Sequence, residues 1–377
     1  MPTSLHGVNC ADATIHHRFE LQTARRQCLS MIYNLQLLRA IAATGVVIYH
    51  MSSEAGLRLP IAVGSRGVDI FFVISGFIIA YIGSDSSPRD FFVRRLIRIV
   101  PLYWAATLVV FLIALIFPHL LRSTTADWVH LASSLAFIPR FSSHADGMFP
   151  TLVLGWSLNF EMYFYIVFAL SLAIVGRKAP LLSAIVIVSV VVAGNVFGTE
   201  SEVVAFYSRP IALEFVFGMA AFYFIKMAER HKTRLESKYW LKVLLILMSM
   251  VSLFLIMAFE AAERGLPRYL VAGIPSFSLV FSAVLVERLF AVRSSLPIVH
   301  LLGEASYIIY LLHPYIIYSV IRLFFRGAEL NIIAVVGLML FLLVLTCAIS
   351  VAIHVYLERP TIRWLRSRAL PTRTHRE

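Results

Sequence analysis

The chain has 377 residues, of which 59% are hydrophobic and only 14% charged, with a formal net charge of +12. A water-soluble domain is nearer a quarter charged, so this composition excludes one and marks an integral membrane protein. The arginine excess lies between apolar runs, where it reports membrane topology, and nothing in the chain suggests a nucleic-acid partner.

Residues 1–30 are polar and unpatterned and lack the roughly 7–15-residue apolar core of a secretory signal. They are expected to form a disordered tail, with Met31 as the natural start. N-terminal sequencing of the native product decides this, and a peptide from residues 5–25 refutes it. The cysteines, Cys10, Cys28 and Cys347, show no CxxC or Cys/His spacing, so neither a disulfide framework nor a metal site is expected.

Ten apolar runs of spanning length follow, at 35–53, 67–83, 100–119, 152–175, 179–197, 209–227, 239–259, 269–287, 298–321 and 331–356. They are long and do not alternate, so they read as helices and not as barrel strands. The expected fold is all-α, a polytopic membrane helical bundle of about ten transmembrane helices. Of the 33 Lys and Arg residues, 23 fall on one side of these spans, 9 on the other, and Arg39 within the first. Basic flanks stay inside, which puts both termini in the cytoplasm.

The first span carries Arg39 and, eleven residues on, His50. Eleven residues are three helical turns, so both side chains share one face, about 16 Å apart along the axis. Ionisable groups inside a bilayer are costly and mark functional sites by default. Arg39 alone could snorkel to the inner headgroups. His50 is either a packed, hydrogen-bonded ring or a group able to take a proton at neutral pH. The second span opens from outside at Gly67-Val68-Asp69, which puts Asp69 at a depth similar to His50. Asp69 either orients the imidazole or caps the helix. Gly67, Ser75 and Gly76 permit close helix packing.

Arg94, Arg95 and Arg98 precede Pro101 at the inner mouth of the third span. Arg95 and Arg98 share a face. Such a cluster is either a positive-inside anchor or, together with Arg39, a seat for an anionic cofactor, because guanidinium groups bind phosphate through paired charge-assisted bonds. The following outer segment, 119–151, contains Trp128, His130 and Asp146 and is expected to hold an interfacial helix that either shapes substrate entry or lies on the headgroups. The fourth span opens with Gly155-Trp156-Ser157-Leu158-Asn159-Phe160-Glu161. Glu161 is several residues deep and needs a partner, either Arg or His or a sugar hydroxyl. Trp156 and Tyr165 belong to an interfacial aromatic belt or to a sugar-stacking platform. In the ninth span Ser306, Tyr310 and His313 lie near one face, and Pro314 loosens the helix beside them. His313 is either a structural hydrogen-bonding group or part of an active-site wall. Glu358-Arg359-Pro360 reads as a helix stop, followed by a basic cytoplasmic tail over 366–377.

Five of these segments in order resemble the membrane acyltransferase-3 family: the Arg39–His50 spacing, residues 67–77, the stretch 92–101 with Arg95 and Arg98, residues 156–165 and residues 305–314. The resemblance covers residues 31–365. The opening of the chain and the 155–161 segment are most similar to the exopolysaccharide O-acetyltransferase branch. It implies a multi-pass protein of the bacterial inner membrane that takes an acetyl group from acetyl-CoA, with no metal. The acceptor would be a hydroxyl of a surface or exported polysaccharide or its lipid-linked precursor. Arg39, Arg95 and Arg98 would hold the donor, and His50, with Glu161 and Asp69, would carry the chemistry. Trp156, Tyr165, Tyr310 and His313 would line the acceptor side. The periplasmic domain fused to some relatives is expected to be absent, which leaves two readings, transfer completed by this protein alone or with a partner such as polysaccharide export machinery. Two rival readings use the same residues. A proton-coupled transporter also needs buried His, Arg and Glu, although no internal repeat is visible. A non-catalytic subunit of an export complex would tolerate substitution of His50.

Overall fold

The computed structural model describes residues 32–54, 66–83, 85–118, 121, 124–143, 145–258, 266–325 and 331–370. The tail at 1–30, the start at Met31 and residues 371–377 lie outside them. The described chain is almost wholly helical, as an apolar chain must be where no water can satisfy its peptide groups.

In chain order the helices are α1 (Tyr33–Glu54), α2 (Gly67–Gly83), α3 (Pro88–Ile116), α4 (Trp128–Leu135), α5 (Trp156–Val175), α6 (Ala179–Val196), α7 (Glu202–Tyr207), α8 (Leu213–Glu229), α9 (Lys232–Glu236), α10 (Tyr239–Ala258), α11 (Ile274–Phe290), α12 (Pro297–Phe324), α13 (Ile332–Ile353) and α14 (Arg359–Ala369). Eight helical stretches are long and apolar enough to cross a membrane. One of them, Val153–Val196, is a hairpin of α5 and α6 that turns at Gly176, where φ is 55°. Helix α2, with 17 residues, is a shorter apolar helix. Among the described residues the bundle therefore holds about ten long apolar helices, and the protein is a polytopic all-α membrane protein.

Helix α1 is the hub. It packs along α12 and also touches α2, α11 and α13. Its exposed N-terminal amides are met by a side chain from another helix. Glu287 of α11 accepts from the backbone N–H of Tyr33 (2.9 Å) and Asn34 (2.7 Å), and the Asn34 amide donates to the carbonyls of Ala283 and Val292. This anchors the end of α1 nearest Arg39. Helices α2 and α8 cross in close contact. A Cβ on Gly76 would fall on the backbone of Phe215, and one on Gly218 would fall on the carbonyl of Val73. Removing the side chains lets the two backbones approach, which compensates for the weak hydrophobic drive between helices in lipid.

Two expectations about element boundaries need correction. The third span begins at Pro88 and not near residue 100. Ser87 caps it by accepting from the Asp90 amide at 3.0 Å, and proline suits the first turn. Arg94, Arg95 and Arg98 therefore sit inside α3, whose regular backbone sets their directions. Glu358-Arg359-Pro360 does not stop the last helix. A π-turn over His354–Glu358 absorbs the change and the helix continues as α14 through Ala369, with Pro360 again in a first turn. The basic segment from 366 is thus partly helical, and α14 folds back onto α3.

The segment after α3 does contain a short helix, α4, with Trp128 and Val129 exposed. A two-residue antiparallel ladder follows it, Phe141–Ser142 against Gly147–Met148. The segment is tied to α3 by Tyr103 donating to the Ser134 carbonyl (3.2 Å) and Trp104 donating to the Leu135 carbonyl (2.9 Å). Asp127 caps α4, and the backbone N–H groups of His130 and Val129 hold its carboxyl below the ordinary carboxylate value. A depressed carboxylate stabilises above the unfolded value near about 3.9 and ceases to as pH falls through the folded one. Asp127→Ala is expected to raise deuterium uptake at Val129 and His130 at pH 7, with little difference from wild type in strong acid.

Candidate active site

A cavity lies between α1, α2, α3, α5 and α12. Arg39, Arg95 and Arg98 line one part of it, Phe71, Phe72, Ile74, Ile78 and Ile79 form an apolar wall, and Ser157 and Tyr310 line another part. Three guanidinium groups far apart in sequence thus share one space, because α1 and α3 both flank it.

Their partners leave binding capacity over. Arg39 donates from Nε to Ser306 Oγ at 3.1 Å. Arg98 faces Glu358 at 3.6 Å. Arg95 lies over the rings of Phe91 and Tyr165, 5.9 and 6.0 Å from their centroids, and its buried Nε has no hydrogen-bond partner among the described residues. Arg366 of α14 adds a further positive charge close enough to act on Arg94, Arg95 and Arg98. The acids nearby are occupied. Glu161 accepts from Ser75 (2.5 Å) and Tyr165 (2.8 Å), while His354 bonds to Glu358 and Arg359 bonds to Glu304. Converging like charges with an orphaned buried donor suit an anion with several oxygens, such as the phosphates of a nucleotide thioester.

The other expected site residues divide. Arg39 and His50 both meet α12, as their eleven-residue spacing requires, the first at Ser306 and the second at His313. His50 is not among the residues lining the cavity. Its ring lies 5.0 Å from that of His313, and Tyr310, which does line the cavity, lies 6.3 Å from His313. Phe71 stands edge-on to Tyr310 with centroids 6.1 Å apart. Tyr310 therefore links the cavity, which it lines, to the histidine pair, which its ring meets at His313. Tyr310 is fixed there, because its hydroxyl meets Ser157 at 3.1 Å and the Leu154 carbonyl at 3.3 Å. Trp156 is not among the residues lining the cavity and packs against Phe72 and Phe160. Tyr165 lines the cavity with its hydroxyl held by Glu161.

Asp69 is also corrected. It neither orients His50 nor serves mainly as a cap. Fully buried, it takes a bidentate bond from Arg268 at the start of the eighth span, at 2.9 and 2.7 Å. Glu214, also fully buried, stands beside it. A carboxylate that deep needs a full countercharge, and the guanidinium fork supplies one. Removing one member of a buried pair costs several kcal/mol, whereas removing both costs less. Arg268→Leu is therefore expected to lower stability by about 3 kcal/mol. The Asp69→Leu/Arg268→Leu double variant should recover part of this in thermal unfolding of the detergent-solubilised protein.

Several site groups escaped the sequence. Ser75 read as a packing residue and binds Glu161 instead. Glu358 and Arg366 lay in a presumed terminus, yet the π-turn and α14 swing them onto α3. Polar residues inside the final helix were the available signal. Among the described residues no cluster of His, Cys, Asp or Glu is placed to hold a metal ion.

Comparison with known proteins bears on what this arrangement does. A family model described as an acyltransferase domain matches residues 32–355. The chain is 34% identical over 335 residues to the exopolysaccharide production protein ExoZ of Rhizobium meliloti, covering 85% of this chain and 96% of that protein. It is 29% identical over 256 residues to YrhL of Bacillus subtilis and 30% identical over 151 residues to the O-acetyltransferase OatA of Staphylococcus aureus. Those matches cover 60% and 35% of this chain but only 36% and 23% of the two longer proteins. No solved structure matches.

Proposed function

The chain belongs to the acyltransferase-3 family and is an O-acyltransferase, and from that premise we propose that it moves an acetyl group from acetyl-CoA to a hydroxyl of a surface or exported polysaccharide, or of its lipid-linked precursor, across the bacterial inner membrane. The observation that carries the reading is the convergence of Arg39, Arg95 and Arg98 on one cavity with apolar walls. The relatives named for exopolysaccharide production and O-acetyl transfer support the acceptor class.

The arginines hold the phosphates of the donor at the cytoplasmic side. Its extended arm lies along the apolar wall of α2 and points the thioester toward Tyr310 and His50. Because Tyr310 is tethered and Phe71 has no polar anchor, Phe71 is the ring that must turn aside for the thioester to pass. His50 removes the proton of the acceptor hydroxyl, and the oxygen attacks the thioester carbonyl carbon. The tetrahedral intermediate then collapses with cleavage of the C–S bond, and the departing thiolate takes the proton back from the imidazolium. No net proton is consumed. Glu161, whose carboxyl accepts from the Ser75 and Tyr165 hydroxyls, shares the cavity with the arginines. Polysaccharide export machinery is the partner that would present the acceptor.

Two measurements test this. Proton NMR of extracellular polysaccharide from cells with and without the gene should show O-acetyl signals only with it. Labelled acetyl-CoA given to inside-out vesicles should leave label covalently in glycan. Uptake of label without covalent incorporation would instead mark a transporter and sink the proposal.

A further inference from the structure

The sequence His313-Pro314 carries a device that its composition does not advertise. Proline has no N–H, so residue 314 cannot close the helical hydrogen bond to the carbonyl of residue 310. That carbonyl is taken instead by the imidazole one position earlier. His313 Nδ1 lies 2.8 Å from the Tyr310 carbonyl oxygen and 3.1 Å from that of Ile309. Both partners are acceptors only, so Nδ1 must carry the hydrogen. Neutral His313 is thereby held in one tautomer, with its lone pair on Nε2.

That Nε2 is fully buried and has no hydrogen-bond partner among the described residues. A buried acceptor left unmatched is costly and calls for a donor. The neighbouring ring is His50, at a centroid separation of 5.0 Å and an interplanar angle of 48°. Two imidazoles sharing a hydrogen bond of ordinary length, nitrogen facing nitrogen, stand about this far apart. Rotation of the His50 ring about its outer side-chain bond aligns them. His50 is only half-buried, so the open side of the pair belongs to it.

We propose that His313 is a positioning residue that accepts the single N–H of neutral His50 and so decides which nitrogen of His50 faces the acceptor hydroxyl as base. This rests on the proposed role of His50. When His50 takes the hydroxyl proton, the positive charge that develops is shared toward the lone pair of His313. The proton returns to the leaving thiolate, and His313 neither gains nor loses one. The same logic appears where a buried group orients a catalytic histidine through its second nitrogen, here with a neutral acceptor in place of a carboxylate.

The experiment uses the full-length protein in lipid nanodiscs. Nitrogen-15 histidine spectra should show His313 protonated on Nδ1 and His50 in a single tautomer. In His313→Leu, His50 should become a tautomer mixture and kcat should fall about 100-fold, with the KM for acyl-CoA unchanged because the arginine cavity is separate. In His313→Gln, whose side-chain oxygen can stand near the position of Nε2, kcat should return to within about tenfold of wild type. The inference is overturned if wild-type His313 carries its proton on Nε2, if the His50 tautomer is the same in His313→Leu, if a folded His313→Leu keeps wild-type kcat, or if Gln is as inactive as Leu. The spectra need no turnover and can be read on wild type even where a variant does not fold. Absence of acetyl transfer by the wild-type protein would sink the function itself, a result separate from the tautomer readout.

Discussion

His50→Ala should abolish O-acetylation, lowering kcat by about 10²–10⁴-fold, the range that a positioned general base contributes. The protein should still fold and still bind donor. His50 is half-buried, makes ring contacts with Tyr49 and His313, and does not line the arginine cavity. Its loss therefore removes chemistry without emptying a packed core. The check is single-turnover transfer of labelled acetyl to glycan, alongside donor binding measured by calorimetry in nanodiscs. Normal binding with no transfer is the expected pair of results. Transfer near the wild-type rate would remove His50 from the mechanism and favour a non-catalytic subunit. His50→Gln should be nearly as inactive as Ala, because an amide can hydrogen-bond a hydroxyl but cannot take its proton.

Loss of Arg95 should have the opposite signature. Arg95→Gln is expected to raise the KM for acyl-CoA by about 10–100-fold with a smaller change in kcat, since a hydrogen bond to a charged group contributes roughly 1.5–3 kcal/mol. Among the described residues no acid pairs with Arg95, and its buried Nε has no hydrogen-bond partner. The substitution thus disturbs donor binding more than folding. Arg98→Gln should raise the KM too, but it also strips Glu358 of its cation, so part of its effect will appear as lost stability. Lysine should restore little at either position, because an ammonium cannot form the paired bonds of a guanidinium. A fragment of the donor that lacks the phosphates should bind wild type and Arg95→Gln alike. Unchanged donor dependence in both variants would end the assignment of the cavity to acyl-CoA.

These two predictions separate along the line that divides the site. The arginine cavity does not include the histidine pair, and Tyr310, which lines the cavity, meets His313. Binding and chemistry are therefore open to independent substitution. A change at Phe71 is the place where the two would couple.

Much of this was legible in the sequence. Long non-alternating apolar runs suffice to specify membrane helices, because lipid leaves a backbone no other way to satisfy its amides. The asymmetry of lysine and arginine leads to an expected orientation, because charges resist crossing. The eleven-residue spacing puts Arg39 and His50 on one face of α1 through helical geometry alone, and their contacts with Ser306 and His313 on α12 agree with it. Local rules of this kind need only neighbouring residues. Asp69 was misread because its partner lies far along the chain. Nothing near position 69 announces that Arg268 will arrive, and Trp156 looks equally suited to a sugar or to Phe72 and Phe160. The tertiary structure alone decided which charges meet. It brought Arg366 beside the arginines of α3, gave Glu161 the hydroxyl of Ser75, and set the His313 ring against that of His50. Helix periodicity fixes the direction of a side chain about its own axis, but the identity of what it faces depends on how separate helices pack, and in lipid that is settled by close fit and by the demand that every buried polar group find a partner.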